Sequence, residues 1–237
     1  MDYPNISIVT PIYNRNKFKN MIINNLLKLD YPLDKLEYII DDDGDKELFI
    51  NNNDEFNEFK ELISPIKFIY KKYDKKRTIG EKRNNLVKLS SYKLIANMDS
   101  DDIMLSEWLK HSLDIMKQGK YGLVGTNQMI FCFPHKNFYM TGIQCGTKRM
   151  VHEAGMLFTK KHFRATGGFL KNSAGEGTAM VDGMIDKSVG LTRTDKVIIC
   201  ICHSTNTVPK DRFLESQPLP DVTLSDYDKN LILNSIN

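Results

Sequence analysis

The chain has 237 residues, 41% of them hydrophobic and 27% charged, which is typical of one compact globular domain with a sizeable core. The net charge is +3 and the basic residues are scattered, so charge gives no reason to expect a nucleic-acid-binding protein. No apolar stretch approaches the roughly 18 residues of a membrane span, and the first residues lack a signal-peptide layout, so we expect a soluble, unexported protein.

The first half of the sequence alternates between β-rich runs and helical patterns. The β-rich runs cover residues 6–10, 36–40, 66–70 and 93–98. Apolar residues recur at helical spacing in residues 17–29, 47–63 and 79–91, and a further helix begins near Glu107. This order predicts right-handed strand-helix-strand crossovers, and therefore an α/β fold built on a mainly parallel sheet.

The second half, from about residue 121, is less regular. Strand-like runs cover residues 121–125, 129–133, 155–160 and 197–202, and helical patterns occur around 160–168 and 177–186. The tail from Phe213 onward is interrupted by proline and is predicted to be peripheral. Because no repeat or low-complexity linker marks a boundary, we expect one continuous domain.

The cysteine pattern indicates reduced thiols. Cys200 and Cys202 are too close in sequence for an easy disulfide, and Cys132 and Cys145 do not have the spacing of zinc ligands. Free thiols are usual in a reducing compartment, so we expect a cytoplasmic protein.

Three of the predicted strands are followed by polar segments of marked composition. TPIYNR stands at the end of the first strand, DDDGD follows the second and DSDD follows the fourth. Ligands of open α/β sheets bind beyond the carboxyl ends of the strands, so we expect these segments to converge on one edge. Lys82 and Arg83 begin a predicted helix and suit a phosphorylated ligand, although they are also typical of a charged surface.

The segment after the fourth strand brings three carboxylates together, those of Asp99, Asp101 and Asp102. Their mutual repulsion requires a compensating cation if the fold holds them away from bulk water. A helix cap would account for one or two of them, just as an acidic turn around Gly44 would account for DDDGD. Three acids fit better with Mn²⁺ or Mg²⁺, which proteins bind through one or two carboxylates together with substrate phosphates.

Five segments, in this order along the chain, resemble the family 2 glycosyltransferases of the GT-A fold. They are ISIVTPIYNR, EYIIDDDGD, IGEKRNNLVKLSSYKLIANMDSDDIMLSEWL, GMLFTKKHFRATGGF and AGEG, and the resemblance covers about the first 210 residues. It implies one Rossmann-like GT-A domain with helices on both faces of the sheet. Residues 1–120 would bind a nucleotide-sugar, and residues 121–237 would bind the acceptor.

The resemblance also implies an activity. Family members transfer a sugar, most often from a UDP-linked donor, to a hydroxyl group of a glycan, a protein or another molecule. They invert the configuration at the anomeric carbon and use Mn²⁺ or Mg²⁺. The expected cofactor is therefore one of these two ions, and the expected partners are the nucleotide-sugar donor and the hydroxyl acceptor.

The nucleotide site that the resemblance implies draws on the ends of the first two strands and on one helix. Pro11 and Tyr13 would form the wall against the nucleobase, with the Tyr13 ring available for stacking. Asp43 would hydrogen-bond the uracil imide, and Asp42 precedes it as the first acid of the pair. Arg83 would border the base and the phosphates.

The metal site that the resemblance implies is the D-x-D motif. Asp99 would face the ribose and Asp101 the metal, while Asp102 would be a further ligand or would support one. His203 follows an apolar strand and matches a residue that reaches the metal and the diphosphate in some relatives, with Asn206 and Thr207 as its hydrogen-bonding neighbours.

The catalytic base is where the sequence departs from the family pattern. Many relatives carry Gly-Glu-Asp, whose Asp removes the acceptor proton, whereas this chain has Gly175, Glu176 and Gly177. Glu176 is therefore the predicted base, because it is the nearest carboxylate in register, and Asp182 is the alternative.

Two other functions stay open. A sugar nucleotidyltransferase would share the fold class, the acidic metal ligands and the nucleotide, but TPIYNRNKF has no glycine for the phosphate loop expected there. A non-catalytic carbohydrate-binding protein on the same fold is favoured by the missing Asp and opposed by the intact DSDD segment.

Overall fold

The structure is a computed structural model that describes residues 3–50, 53–146, 150–181 and 188–236. In chain order its strands are β1 (Ile6–Ile12), β2 (Leu36–Asp42), β3 (Lys67–Lys72), β4 (Leu94–Asn97), β5 (Ile103–Met104), β6 (Leu123–Gly125), β7 (Gln128–Phe133), β8 (Tyr139–Gln144), β9 (Leu157–Thr159), β10 (Val189–Leu191), β11 (Ile198–Ile201) and β12 (Gln217–Pro218). Its α-helices are α1 (Lys19–Leu27), α2 (Asp54–Leu62), α3 (Ile79–Leu89), α4 (Trp108–Gly119), α5 (Lys160–Thr166), α6 (Thr178–Val181) and α7 (Asp226–Ile236). Within these described ranges, no helix has both the length and the apolar character that a membrane crossing requires.

The larger sheet contains, in the described part of the chain, seven strands in the order β10-β6-β9-β4-β1-β2-β3. Strand β1 runs parallel to both β2 and β4, and β2 runs parallel to β3. Strand β9 runs antiparallel to both of its neighbours, β4 and β6. The predicted α/β fold with a mainly parallel sheet is thus confirmed, and its first four strands are those that the sequence predicts.

Helices cover both faces of this sheet. Successive strand residues point to opposite sides, and apolar side chains on both sides have to be buried. Ile8 of β1 belongs to the apolar cluster that includes Ile22 of α1 and Trp108 of α4. The next residue, Val9, belongs to the cluster that includes Leu86 of α3. Each fully buried aliphatic side chain of this kind contributes roughly 1.5–3 kcal/mol of transfer free energy, so the alternation fixes the register of the sheet.

The smaller sheet has the order β12-β8-β7-β11-β5. Strand β5 follows directly on the acidic segment and pairs antiparallel with β11, which in turn runs parallel to β7. Strand β7 forms an antiparallel hairpin with β8. The acidic segment therefore connects the two sheets, since β4 before it belongs to the larger sheet and β5 after it to the smaller.

Two of the predicted segments have a structure that differs from the one expected. The helix predicted over residues 47–63 begins only at Asp54, because Asn53 caps it and accepts a hydrogen bond from the Phe56 amide over 2.8 Å. The tail predicted to be peripheral has an exposed strand β12, but its helix α7 buries Ile232 completely beside Phe18 and Met21.

Candidate active site

A cleft of about 560 Å³ opens where the strands β1 and β4 end. Its lining includes residues predicted from the sequence, among them Pro11, Arg83, Asp99, Asp101, Asp102, Glu176 and Asn206. Apolar side chains of the smaller sheet, such as Met129 and Phe131 of β7, complete the lining. The structure thus brings the ends of the first and fourth strands together, as the strand order predicts.

Asp101 is held between a histidine and an arginine. His203 Nε2 lies 3.2 Å from Asp101 Oδ2, and Arg15 Nη2 lies 3.5 Å from the same oxygen. Asn206 fixes the histidine, because its side-chain oxygen accepts a hydrogen bond from the His203 amide over 2.8 Å. Burial alone would raise the pKa of the Asp101 carboxyl, but the bond from His203 and the charge of Arg15 lower it.

Asp102 is buried and shares the cleft with the other two acids. Its Oδ1 accepts a hydrogen bond from the Ile201 amide over 3.0 Å, which ties the acidic segment to β11. Burial and the neighbouring charges of Asp101 and Asp99 raise the pKa of Asp102 to about 8. A cation at this place would lower that pKa again, because it would stabilise the ionised carboxylate.

The side chains around Asp101 could provide some of the ligands of Mn²⁺ or Mg²⁺. Among the described residues, no group of three or more His, Cys, Asp or Glu side chains is arranged to hold a metal ion. The neighbouring carboxylates of Asp101 and Asp102 and the imidazole of His203 nevertheless offer the oxygen and nitrogen ligands that these ions accept. Phosphate oxygens of a bound ligand would have to complete the coordination.

Arg83 joins the acidic segment to the second half of the chain. Its Nε donates to Glu176 Oε1 over 3.0 Å and its Nη2 donates to Asp99 Oδ1 over 2.8 Å. The third nitrogen, Nη1, is buried and finds no acceptor in the described part of the chain. Burial opposes the charge of the guanidinium, but Asp99 and Glu176 raise the pKa of Arg83 above its usual value.

The start of α3 explains how Arg83 reaches this position. Thr78 and Glu81 form a capping box, so the helix begins at a defined residue. Gly80 packs so tightly that a Cβ atom there would lie 1.7 Å from the Leu170 carbonyl oxygen. The Gly80 amide donates to the Asn172 carbonyl over 2.9 Å, so the loop that carries Glu176 is docked on the first turn of α3.

Asp43 lies in a cluster beside the cleft, and it is not among the described residues that line the cleft itself. Lys82 Nζ donates to Asp43 Oδ1 over 2.7 Å, and the Arg77 amide donates to Oδ2 over 2.7 Å. The carboxylate is fully buried. Burial lowers the pKa of Lys82, although the bond and charge of Asp43 act against this.

Asp42 and Tyr13 also belong to this neighbouring cluster. The Asp42 carboxylate accepts hydrogen bonds from the Gly44 and Leu48 amides over 2.8 Å and 2.7 Å. It therefore orders the loop after β2 from within the core. The ring of Tyr13 is half-exposed, and the Lys76 ammonium lies 3.8 Å from its centroid.

The predicted base Glu176 is buried and paired. Only 4% of the residue is exposed, and Oε1 accepts the bond from Arg83. Burial raises the pKa of the Glu176 carboxyl, the charge of Arg83 opposes that rise, and Glu153 adds to it. The alternative base, Asp182, lies outside the described residues.

Several charged residues that line the cleft are not among the predicted site residues. They include Glu153, Arg15 and Lys210, and of these three only Arg15 lies in a segment, TPIYNR, that the sequence marks. The loop that carries Glu153 is anchored by Trp108, whose Nε1 donates to the Gly155 carbonyl over 2.9 Å. Only the tertiary structure brings these residues to the acidic segment.

The sequence is similar to known proteins. The profile of the family described as Glycosyl transferase family 2 matches residues 7–177. A curated protein of Escherichia coli, UDP-Glc:alpha-D-GlcNAc-diphosphoundecaprenol beta-1,3-glucosyltransferase WfgD, is 29% identical over 148 residues. That match covers 59% of this chain and 55% of the E. coli protein, so the chain spans just over half the length of this relative.

Solved structures share the fold. The mannosyltransferase PcManGT from Pyrobaculum calidifontis, in complex with GDP-Man and Mn²⁺, superposes with a TM-score of 0.65 at 16% identity over 90% of this chain and 59% of that chain. S. aureus TarS 1-349, in complex with UDP-GlcNAc, superposes with a TM-score of 0.66 at 14% identity over 98% of this chain and 72% of that chain. At such identities the likeness concerns the fold, and it confirms the expected GT-A architecture.

Proposed function

The chain belongs to glycosyl transferase family 2, and from that premise we propose that it transfers a sugar from a nucleotide-sugar to a hydroxyl group of an acceptor. The observation that carries the proposal is the convergence of Asp99, Asp101 and Asp102 with Arg83 in one cleft. The three acids supply the negative charge that a divalent cation requires. The buried guanidinium has a donor, Nη1, without an acceptor among the described residues, and this donor suits a phosphate or base oxygen.

The donor is proposed to be UDP-linked. Asp43, with Tyr13 and Pro11 beside it, would form the base pocket, since a carboxylate accepts from the imide N–H of uracil. Asp42 would support this pocket by ordering the loop after β2, and Asp99 would face the ribose. Arg83 would then border the base and the phosphates.

The cofactor is proposed to be Mn²⁺ or Mg²⁺, held by Asp101 with Asp102 and His203. When bound, such an ion stabilises the negative charge that develops on the departing nucleoside diphosphate. The PcManGT structure contains Mn²⁺ together with its GDP-Man, which supports a metal of this kind in the family fold. Lys210 and Arg15, on the same cleft, add positive charge for the leaving group.

Transfer is proposed to proceed with inversion in a single displacement. A carboxylate of the cleft removes the proton of the acceptor hydroxyl as its oxygen attacks the anomeric carbon, and the bond to the diphosphate breaks. Glu176 and Asp182 are the carboxylates that the sequence proposes for this step. The apolar wall formed with Met129 and Phe131 would contact the acceptor.

The test is release of nucleoside diphosphate from UDP-glucose, UDP-N-acetylglucosamine and GDP-mannose, each with Mn²⁺ and with EDTA. A glycosyltransferase releases UDP or GDP from at least one donor in the presence of Mn²⁺, and faster when a panel of p-nitrophenyl glycosides supplies hydroxyl acceptors. Binding of a donor without any turnover would instead indicate the non-catalytic carbohydrate-binding protein. Release of inorganic pyrophosphate from a nucleoside triphosphate and a sugar 1-phosphate would indicate the nucleotidyltransferase.

A further inference from the structure

Glu153 occupies the space that a side chain at position 177 would fill. A Cβ atom built on Gly177 would lie 2.7 Å from Glu153 Cγ and 3.0 Å from Glu153 Oε1. The first distance is too short for non-bonded atoms and the second is tight, so the glutamate in this position would have to shift to admit a side chain at 177. The family's expected acid at this position is missing, and a carboxylate from another loop stands in its place.

The Glu153 carboxylate is fixed and accessible. The Gly177 amide donates to Oε1 over 3.0 Å, and the Glu153 carbonyl accepts a hydrogen bond from Asn97 at the end of β4 over 3.1 Å. The side chain is half-buried and lines the cleft. Within the described ranges no donor is directed at its second oxygen, Oε2, which leaves a lone pair available for a proton.

Glu176 has a different environment. It is almost completely buried, and its Oε1 is paired with Arg83, which also binds Asp99. A base has to approach the acceptor hydroxyl with an unpaired oxygen, and a carboxylate in an ion pair with a buried guanidinium is a weaker acceptor for that proton. The contacts of Glu176 therefore suit positioning of Arg83.

We infer that Glu153 is the general base of the transfer reaction, an inference that rests on the proposed glycosyltransferase function. The proton of the acceptor hydroxyl passes to Glu153 Oε2 while the hydroxyl oxygen forms a bond to the anomeric carbon. The bond between that carbon and the diphosphate oxygen breaks, and its electron pair leaves with the nucleoside diphosphate. Glu176 is then a positioning residue that acts through Arg83.

The experiment compares Glu153→Gln with Glu176→Gln, using the donor and acceptor that give the highest turnover with Mn²⁺. Glu153→Gln is expected to lower kcat roughly 10²- to 10⁴-fold while UDP affinity, measured by calorimetry, stays that of the wild type. Glu58→Gln, an exposed glutamate on α2, is the control for amide substitution.

A relocation variant makes the test specific. Gly177 does not adopt a positive φ, so its backbone accepts an aspartate once the space is free. Glu153→Ala frees that space, and Glu153→Ala combined with Gly177→Asp is expected to recover part of the turnover that Glu153→Ala loses. Gly177→Asp alone is expected to bring no gain, because Glu153 still fills the site.

Full turnover in Glu153→Gln would overturn the inference, and a kcat loss in Glu176→Gln with unchanged UDP affinity beside it would move the base to Glu176. A wild type that binds UDP but turns over no donor would remove the proposed function and the inference with it. If Glu153→Gln fails to fold by circular dichroism, Glu153→Ala is measured instead, and turnover unchanged from the wild type would overturn the base role.

Discussion

Arg83 and Glu176 lie 93 residues apart in the chain, yet Arg83 Nε donates to Glu176 Oε1 over 3.0 Å in the interior of the protein. The same guanidinium binds Asp99, so one side chain links the acidic segment after β4 to the loop before α6. The carboxylates of Asp99 and Glu176 both depend on this guanidinium for a compensating charge. Arg83 is therefore needed for the structure of the cleft, and it is also a candidate residue for binding the nucleotide-sugar.

Replacement of Arg83 by methionine is therefore expected to destabilise the fold. The variant leaves the buried Glu176 without its cation, and breaking a buried pair on one side costs roughly 3–5 kcal/mol. The free energy of unfolding in urea measures this loss. Arg193→Met is the matched control, because its pair with Asp195 is exposed to solvent, which weakens the attraction between the two charges. Equal losses in both variants would contradict the pairing.

Donor binding is expected to depend on a divalent cation through Asp101. UDP titrated in the presence of Mn²⁺ should bind more tightly than UDP titrated with EDTA, because the ion links the diphosphate to the carboxylates. Asp101→Asn should reduce the Mn²⁺-dependent gain, since an amide carries no charge to hold the ion. Calorimetry gives the three affinities, and identical values would exclude the proposed metal-diphosphate site.

Base preference is expected to follow Asp43. Cytosine has no imide N–H at the position where uracil has one, so UDP should outcompete CDP for the intact protein. Asp43→Asn replaces a carboxylate, which can only accept hydrogen bonds, by an amide that can also donate one. The variant should therefore show a smaller or reversed preference for UDP over CDP. Competition of UDP and CDP against a labelled UDP-sugar measures the ratio. CDP binding as tightly as UDP in the wild type would show that the base lies elsewhere.

The cysteines are expected to differ in reactivity. Burial raises the pKa of the Cys132 and Cys202 thiols to about 12, and that of Cys200 well above its usual value, so little thiolate forms at these positions. Cys145 is half-exposed and lines the cleft. Iodoacetamide at pH 8 should modify Cys145 first, as read by peptide mass spectrometry, and UDP with Mn²⁺ should slow that modification. Preferential labelling of Cys132 would contradict the described packing.

The pH dependence of stability is expected to change in Glu176→Gln. The folded-state pKa of Glu176 is raised, chiefly by burial, so the folded protein holds this proton more tightly than the unfolded chain. The tighter binding of this proton stabilises the folded protein fully below the unfolded-state pKa of about 4.3. This stabilisation is lost as the pH rises through the higher folded-state pKa. The wild type should thus lose stability over this interval by an amount that the variant lacks. Urea unfolding between pH 4 and pH 7 measures the two slopes, and parallel curves would refute the shift.

The fold could be predicted from the sequence because its signals are local. Residues such as Ile8 and Val9 alternate between two apolar faces, and a buried parallel sheet with helices on both sides is the arrangement that satisfies this pattern. The acidic segment could be predicted to face a ligand because it directly follows a strand. Strands β5 and β12 could not be predicted, since two residues are too few to show a period.

The remaining parts of the site depend on tertiary contacts. Glu153 reaches Gly177 across 24 residues of chain, and nothing near it in the sequence indicates a ligand or a base. Arg15 ends the marked segment TPIYNR, but its contact with Asp101 could not be predicted, because it arises only from the pairing of β1 with β4 in the sheet. Asp43 could be predicted as a marked residue, but its complete burial against Lys82 could not, since that contact requires α3 to pack beside β2.

Trp108 gives the protein an optical probe of its own. It is the single tryptophan of the sequence, it is fully buried at the start of α4, and its indole N–H is bonded to the loop that carries Glu153. Intrinsic fluorescence therefore reports on one place, the junction of the two sheets behind the acidic segment. A ligand that displaces this loop is expected to shift the tryptophan emission, so loop movement can be timed in solution without any attached dye.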